Sequence, residues 1–180
     1  MAEMLDNVLQ YFIDNAPDAI HRARYSAQQE RSIGVGALGF HALLQKNNVA
    51  FESALAKSLN NKVFKHIREK LDEANLELGN ERGEAPDASG TGKRFSHVMA
   101  IAPNASSSII MGNTSPSVEP YRANAYRQDT LSGAFLNKNK FLDKIIQEKC
   151  NADSKLDYQE IWSSIIANDG SVQHLEFLLS

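Results

Sequence analysis

One apolar stripe limits what this 180-residue chain can become. From Phe51 to Leu78, apolar residues recur every three or four positions: Leu55, Leu59, Val63, Ile67, Leu71, Ala74 and Leu78. That period is the period of one helix face. Polar residues fill the other faces, with Glu69 and Glu73 set near Lys65, Arg68 and Lys70. At 1.5 Å per residue the helix is roughly 40 Å long. It ends near Gly79, and at the latest by Gly83. A single amphipathic helix of this length needs a partner layer to cover its stripe, so an isolated-helix or disordered chain is excluded.

The candidate partner layer holds a strand. Phe95–Ala102 is an apolar-rich run that stops at Pro103. Asn104, Ala105 and three serines follow, Ser106, Ser107 and Ser108, and then a short apolar turn, Ile109-Ile110-Met111, stopped by Gly112. This reads as a buried strand, a tight turn and a short helix whose first turn carries small hydroxyl residues. The first N–H groups of a helix lack internal acceptors and lie at the positive end of its dipole. A phosphate placed there is well held, and serines add hydroxyl donors. The residues alone leave two readings open: an anion-binding turn, or a polar loop with an ordinary serine N-cap.

Around these elements the chain reads as mostly helical. Leu5, Val8, Leu9, Phe12 and Ile13 form one face of a helix over Met1–Asn15, which Asn15-Ala16-Pro17 breaks. Asp18–Arg31 reads as a second helix, with Ile20, Ala23 and Ala27 on one side and His21, Arg22 and Arg24 as a solvated face. A literal GxGxxG follows at Gly34, Gly36 and Gly39. A dinucleotide site requires a buried strand before that motif, and here the preceding residues are polar and helix-like. The glycines are instead expected to let a helix running on to about Gln45 approach its neighbours closely.

Lys46-Asn47-Asn48 reads as a turn. Glu84–Lys93 is a connecting loop whose Gly-Thr-Gly-Lys lacks the spacing of a phosphate-binding P-loop. Ala123–Thr130 and Ala134–Leu136, broken by Ser132-Gly133, read as a β-hairpin. Lys140–Lys149 and Tyr158–Ala167 are helices, the second closed by Asn168-Asp169-Gly170. The tail ends on apolar Phe177-Leu178-Leu179, as expected of a chain cut from something larger. The organisation expected is one α/β segment, mostly helical: a helical part over 1–83, a strand, phosphate turn and hairpin over 84–136, and a second helical part over 137–180.

Composition narrows the function. Hydrophobic residues make up 42% and charged residues 23%, with a net charge of −3. This is a globular composition with no basic, aromatic-rich stretch of the kind that binds nucleic acid. No run approaches the roughly 20 apolar residues of a membrane span. The acidic start lacks the basic region of a signal peptide, so a cytoplasmic location is the expectation. The single cysteine, Cys150, rules out an internal disulfide and a multi-cysteine metal site. His21, His41, His66, His97 and His174 form no metal-binding pattern.

Four stretches in order, RSIGVGALGFHALL, FESALAKSLNNKVF, APNASSSIIMGNTSPSVEPYRANAYRQDTLSGAFLNKN and IIANDGSVQHL, resemble the large catalytic chain of class I ribonucleotide reductase, in particular its phage-encoded branch. The resemblance runs over nearly all of the chain. It implies part of a ten-stranded α/β barrel, an internal portion of the C-terminal half. It makes the glycine-rich segment a packed structural element. It also implies that Asn104, Ala105, Ser106 and Ser107 bind the diphosphate of a ribonucleotide substrate, with Pro103 shaping the turn.

Other implied parts have no counterpart here. The family needs a cysteine that becomes a thiyl radical with nearby Asn and Glu, two cysteines that reduce the substrate, a C-terminal cysteine pair and two adjacent tyrosines. Cys150 matches none of these contexts and is expected to be a bystander, and Tyr121 and Tyr126 are not adjacent. The nucleotide-sensing parts of the family lie upstream of this segment. No catalytic residue, metal or cofactor is therefore expected in this chain. The complete enzyme would use a radical-generating metal cofactor in its small subunit. The partners implied are the remaining segments of the catalytic subunit, the small subunit and a ribonucleoside diphosphate, in the host cytoplasm if phage-encoded. A non-catalytic helical interaction domain derived from the same fold is the rival expectation; an independent dinucleotide-binding enzyme is a third.

Overall fold

In the computed structural model, which describes residues 1–130 and 133–178, the apolar stripe folds as one 29-residue helix. We number the α-helices α1 (Ala2–Asn15), α2 (His21–Glu30), α3 (Phe40–Lys46), α4 (Ala54–Arg82), α5 (Ala105–Ile110), α6 (Lys140–Ala152) and α7 (Tyr158–Ala167), and the strands β1 (Ala125–Thr130) and β2 (Gly133–Lys138). Ser132 of the expected hairpin break and Leu179 of the apolar tail lie outside the described residues. The chain divides into two compact units, Met1–Leu44 with Val49–Glu119, and Gln45–Asn48 with Pro120–Ser180. Among the described residues no helix is long and apolar enough to cross a membrane.

The first unit is organised on α4. Ser53 caps it, its Oγ accepting the Ala56 N–H at 3.1 Å. Gly83, at φ 86°, ends it where a residue with a side chain would be strained. The stripe serves two clusters. Ala56 and Leu59, near its start, pack with Leu44, Val49 and Phe40, whereas Leu71 and Leu78 join Ala2, Ile33, Phe95 and Val98. Leu55 departs from the stripe and is 57% exposed. The helix expected over Asp18–Arg31 begins as a 3₁₀ turn at Asp18–Ile20 and ends at Glu30, because Arg31 takes a left-handed φ of 45°.

The glycine-rich segment is not helical. Residues 31–39 form no helix, and α3 begins only at Phe40. Val35 bridges Met99 in parallel, with Val35 N–H donating to the Val98 carbonyl at 3.0 Å and Ala100 N–H to the Val35 carbonyl at 3.2 Å. A Cβ on Gly36 would lie 2.5 Å from the Ala100 carbonyl oxygen, and one on Gly34 would lie 2.9 Å from the Ala100 Cβ. The close approach expected of these glycines is real, but an extended neighbour makes it.

Phe95–Ala102 is correspondingly extended, with a single bridge in place of a regular strand. Ile33 N–H reaches the His97 carbonyl. Two residues on one segment thus answer to one on the other, and the pairing loses register. That slip also explains why Phe95 and Val98, three apart, are both buried.

Polar groups lock this layer to α4. Asn75, buried in α4, exchanges side-chain bonds with both backbone groups of Phe95, at 2.8 and 3.1 Å. Below it lies a buried carboxylate. Asp6 of α1 accepts from Arg31 at 2.6 Å, Arg82 at 3.0 Å and Arg94 at 3.1 Å. Burial alone pushes the Asp6 carboxyl up, but the hydrogen bonds from Arg31, Arg94 and Arg82 outweigh it and hold the group below its ordinary value. The Glu84–Lys93 loop is closed by its own acid: the Glu84 carboxylate accepts the Gly90 N–H at 2.7 Å and also the Gly92 N–H. The amides of its Gly-Thr-Gly stretch are therefore already engaged, as suits a connection.

The second unit pairs β1 with β2 antiparallel, Ala125 opposite Lys138. Asn139 caps α6 and Asp157 caps α7. Trp162, Ile146 and Ile165 fill the core, and Cys150 packs half-buried against it. Asp143 accepts from the Tyr158 hydroxyl at 2.6 Å and the Trp162 indole at 3.2 Å. That bond to Asp143 raises the Tyr158 pKa. Gly170, at φ 81°, closes α7; a Cβ there would meet the Ala123 Cβ at 2.6 Å.

Asp6→Asn strands three guanidinium groups, two of them buried, and is expected to cost about 3 kcal/mol of stability at neutral pH. Because the folded carboxyl titrates below its unfolded value of 3.8, its contribution is complete above that pH and is lost as the pH falls through the folded value. Urea unfolding from pH 7 downward checks both: the gap between the wild-type and Asp6→Asn stabilities should hold above pH 3.8 and narrow below it.

Candidate functional site

The paired extended segments run in the same direction, and their far ends carry α3 and the serine turn. Pro103 and Asn104 turn the chain, and α5 starts at Ala105. Asn104 has φ 53° and ψ 29°, a left-handed conformation that asparagine tolerates, and its side chain makes no cap bond. Its carbonyl accepts the Ser108 N–H at 2.9 Å. The N–H groups of Asn104, Ala105, Ser106 and Ser107 have no acceptor among the described residues.

The three serines divide by role. Ser108 is buried, its Oγ donating to the Ala105 carbonyl at 2.8 Å while its own carbonyl accepts the Thr114 N–H at 3.0 Å. It holds the turn together from within. Ala105, Ser106 and Ser107 are exposed, and Asn104 is half-buried. All four residues expected to bind an anion are therefore adjacent on one turn. They carry no ionisable side chain, so the turn offers N–H and O–H donors alone.

What steadies the turn lies after α5. Gly112 and Asn113, both with positive φ, reverse the chain. Ser115 then becomes fully buried and serves α3: its carbonyl accepts the Gly39 N–H at 2.8 Å and its Oγ accepts the Ala42 N–H at 3.1 Å. The start of one helix is thus capped by a serine 73 residues away. Sequence reasoning missed Ser115, because a cap supplied from another part of the chain has no local signature; the only trace was a serine among the prolines of Thr114–Pro120. Among the described residues no group of three or more His, Cys, Asp or Glu is arranged to hold a metal ion.

Comparison with known proteins gives the family of the chain. The ribonucleotide reductase barrel domain matches residues 1–91 and 85–179. The chain belongs to that family. The ribonucleoside-diphosphate reductase large subunit of Invertebrate iridescent virus 3 is 57% identical over 178 residues, covering 99% of this chain and 28% of the relative. The putative large subunit of Frog virus 3 is 44% identical, covering 99% of this chain and 31% of the relative. Among solved structures, the class Id ribonucleotide reductase alpha subunit of Actinobacillus ureae superposes with a TM-score of 0.81 at 44% identity, over 95% of this chain and 30% of that one.

The chain therefore spans under a third of the length of these relatives, and it is a partial segment of the ribonucleotide reductase barrel. The expected family and fold class hold, and viral relatives are among its matches.

Ser115→Ala leaves the buried Ala42 N–H without an acceptor and is expected to cost about 1–3 kcal/mol. Chemical denaturation followed by circular dichroism measures it; an unchanged midpoint would mean that α3 does not depend on this cap.

Proposed function

We propose that this chain is the part of a ribonucleoside-diphosphate reductase catalytic subunit that holds the diphosphate of the substrate, through Asn104, Ala105, Ser106 and Ser107. One observation carries the reading: four consecutive backbone N–H groups without acceptors among the described residues, beside two exposed serine hydroxyls, at the end of an extended segment. Phosphate oxygens are strong acceptors, and a cluster of neutral donors at a helix start can hold them without a counter-charge. Holding the diphosphate fixes one end of the nucleotide, so that groups elsewhere can act on its sugar.

The chain supplies binding and orientation and no redox chemistry. Its one thiol, Cys150, belongs to the core of the second unit. The radical-forming and substrate-reducing cysteines belong to the remaining segments of the subunit, and the radical-generating metal cofactor to the small subunit. Reduction of ribonucleotides for DNA replication then needs all three parts together, in the cytoplasm, which is the host's if the chain is phage-encoded. Neither nucleic acid nor membrane is a partner. Alone, the chain is inactive.

Replacing both Ser106 and Ser107 with Asp places two carboxylates where the diphosphate would sit. In the subunit reassembled from this chain and its missing segments, ribonucleoside diphosphate affinity should fall at least a hundredfold, about 2.7 kcal/mol, by calorimetric titration. Unchanged affinity in the double variant would remove the turn from the substrate site.

A further inference from the structure

A polar cleft of about 180 Å³ opens in the first unit, between α4 and the root of the Phe95–Ala102 segment. Arg68 and Asp72 line it from α4, and Lys93, Ser96 and His97 line it from the chain that enters the segment. Buried Asn75, whose amide is taken up by the Phe95 backbone, is part of its wall. Drug-sized ligands occupy about 300–1,000 Å³. This cleft is sized for an ion or a single phosphoryl group.

The donors that meet there are open on one side. Asp72 accepts from Arg68 Nε at 2.7 Å, which fixes the guanidinium and leaves both its terminal nitrogens without an acceptor among the described residues. Lys93 Nζ has no partner among the described residues either. His97 Nδ1 lies 3.1 Å from Ser96 Oγ and 3.2 Å from Ser32 Oγ, whereas its Nε2 has no partner among the described residues. Both carboxylates of this network are engaged: Asp72 by Arg68, and Glu30 by the Ser26 and Ser32 hydroxyls at 3.0 and 3.3 Å.

Two cations against one carboxylate leave the lining of the cleft positive. An arginine steadied through Nε offers its remaining N–H groups in a fixed fork, which matches the oxygens of a phosphate better than a point charge does. The structure assigns this cleft to a phosphate group, held by Arg68 and Lys93 and hydrogen-bonded by Ser96 and His97. The serine turn lies at the other end of the same segment, so this site does not rest on the proposed function.

The test is an NMR titration of the isotope-labelled 180-residue chain with inorganic phosphate, at neutral pH and constant ionic strength. The amide signals of Lys93, Ser96 and His97 should shift together and saturate with one dissociation constant. Lys93→Gln and Arg68→Lys should each weaken that binding at least fivefold. Both side chains are exposed, so neither variant should move the melting temperature. Arg68→Lys keeps the charge and loses the fork, and general attraction of anions would leave it equal to wild type. Methyl phosphate binding as tightly as inorganic phosphate would support a phosphoryl group carried on a larger molecule. Binding of inorganic phosphate alone would support the free ion.

Acetate shifting the same signals with equal affinity would assign the cleft to a carboxylate and overturn the proposal. Unsaturable shifts spread over the surface lysines, or unchanged affinity in both variants, would overturn it as well. Shifts confined to Asn104–Ser107 would overturn this site while favouring the serine turn. Absence of shifts at Lys93, Ser96 and His97 would overturn this site and leave the proposed function standing.

Discussion

The first unit depends on one buried carboxylate. Asp6 brings together three guanidinium groups from distant points of the chain: Arg31 at the root of one extended segment, Arg94 at the root of the other, and Arg82 at the end of α4. Arg94 also donates to the Arg82 and Gly83 carbonyls, satisfying the exposed end of that helix. Burying a charge is expensive, and such a cluster survives only when its donors and acceptors are nearly all used. Its reward is position. With both roots fixed, the two extended segments leave in the same direction and deliver their far ends to α3 and the serine turn.

That placement separates two loops that look alike in composition. Gly90-Thr91-Gly92 and Asn104–Ser107 are both small, polar and rich in backbone donors. In the first, the Glu84 carboxylate accepts the Gly90 and Gly92 N–H groups and the Ala88 carbonyl accepts that of Thr91. In the second, no acceptor among the described residues reaches them, and of the turn's three serines Ser108 is the buried one. A loop whose N–H groups are answered internally is a connection; one whose groups are left open can receive an anion.

Much of this was legible in the residues. The period of the stripe located α4, Gly83 ended it, and the pattern Tyr158–Ala167 marked α7 to the residue, because period and capping are local properties. The hairpin followed from alternation and its glycine. The glycine-rich segment was misread as helix, since nothing local reveals that Val35 will pair with Met99, 64 positions away. Asp6 resembled any exposed acid on an amphipathic helix, because its three partners lie 25, 76 and 88 residues along the chain. Leu55 fitted the stripe but faces solvent.

By itself, the sequence determined most of the helices, several of their ends and the family. Each is written in neighbouring side chains or in an ordered run of motifs. Only the tertiary structure decided which serine of the turn faces inward, which small polar loop keeps its donors open, and that a buried acid joins the roots of the paired segments. Those outcomes depend on which distant groups come within hydrogen-bonding reach, and hydrogen bonds act over about 3 Å, whatever the separation along the chain.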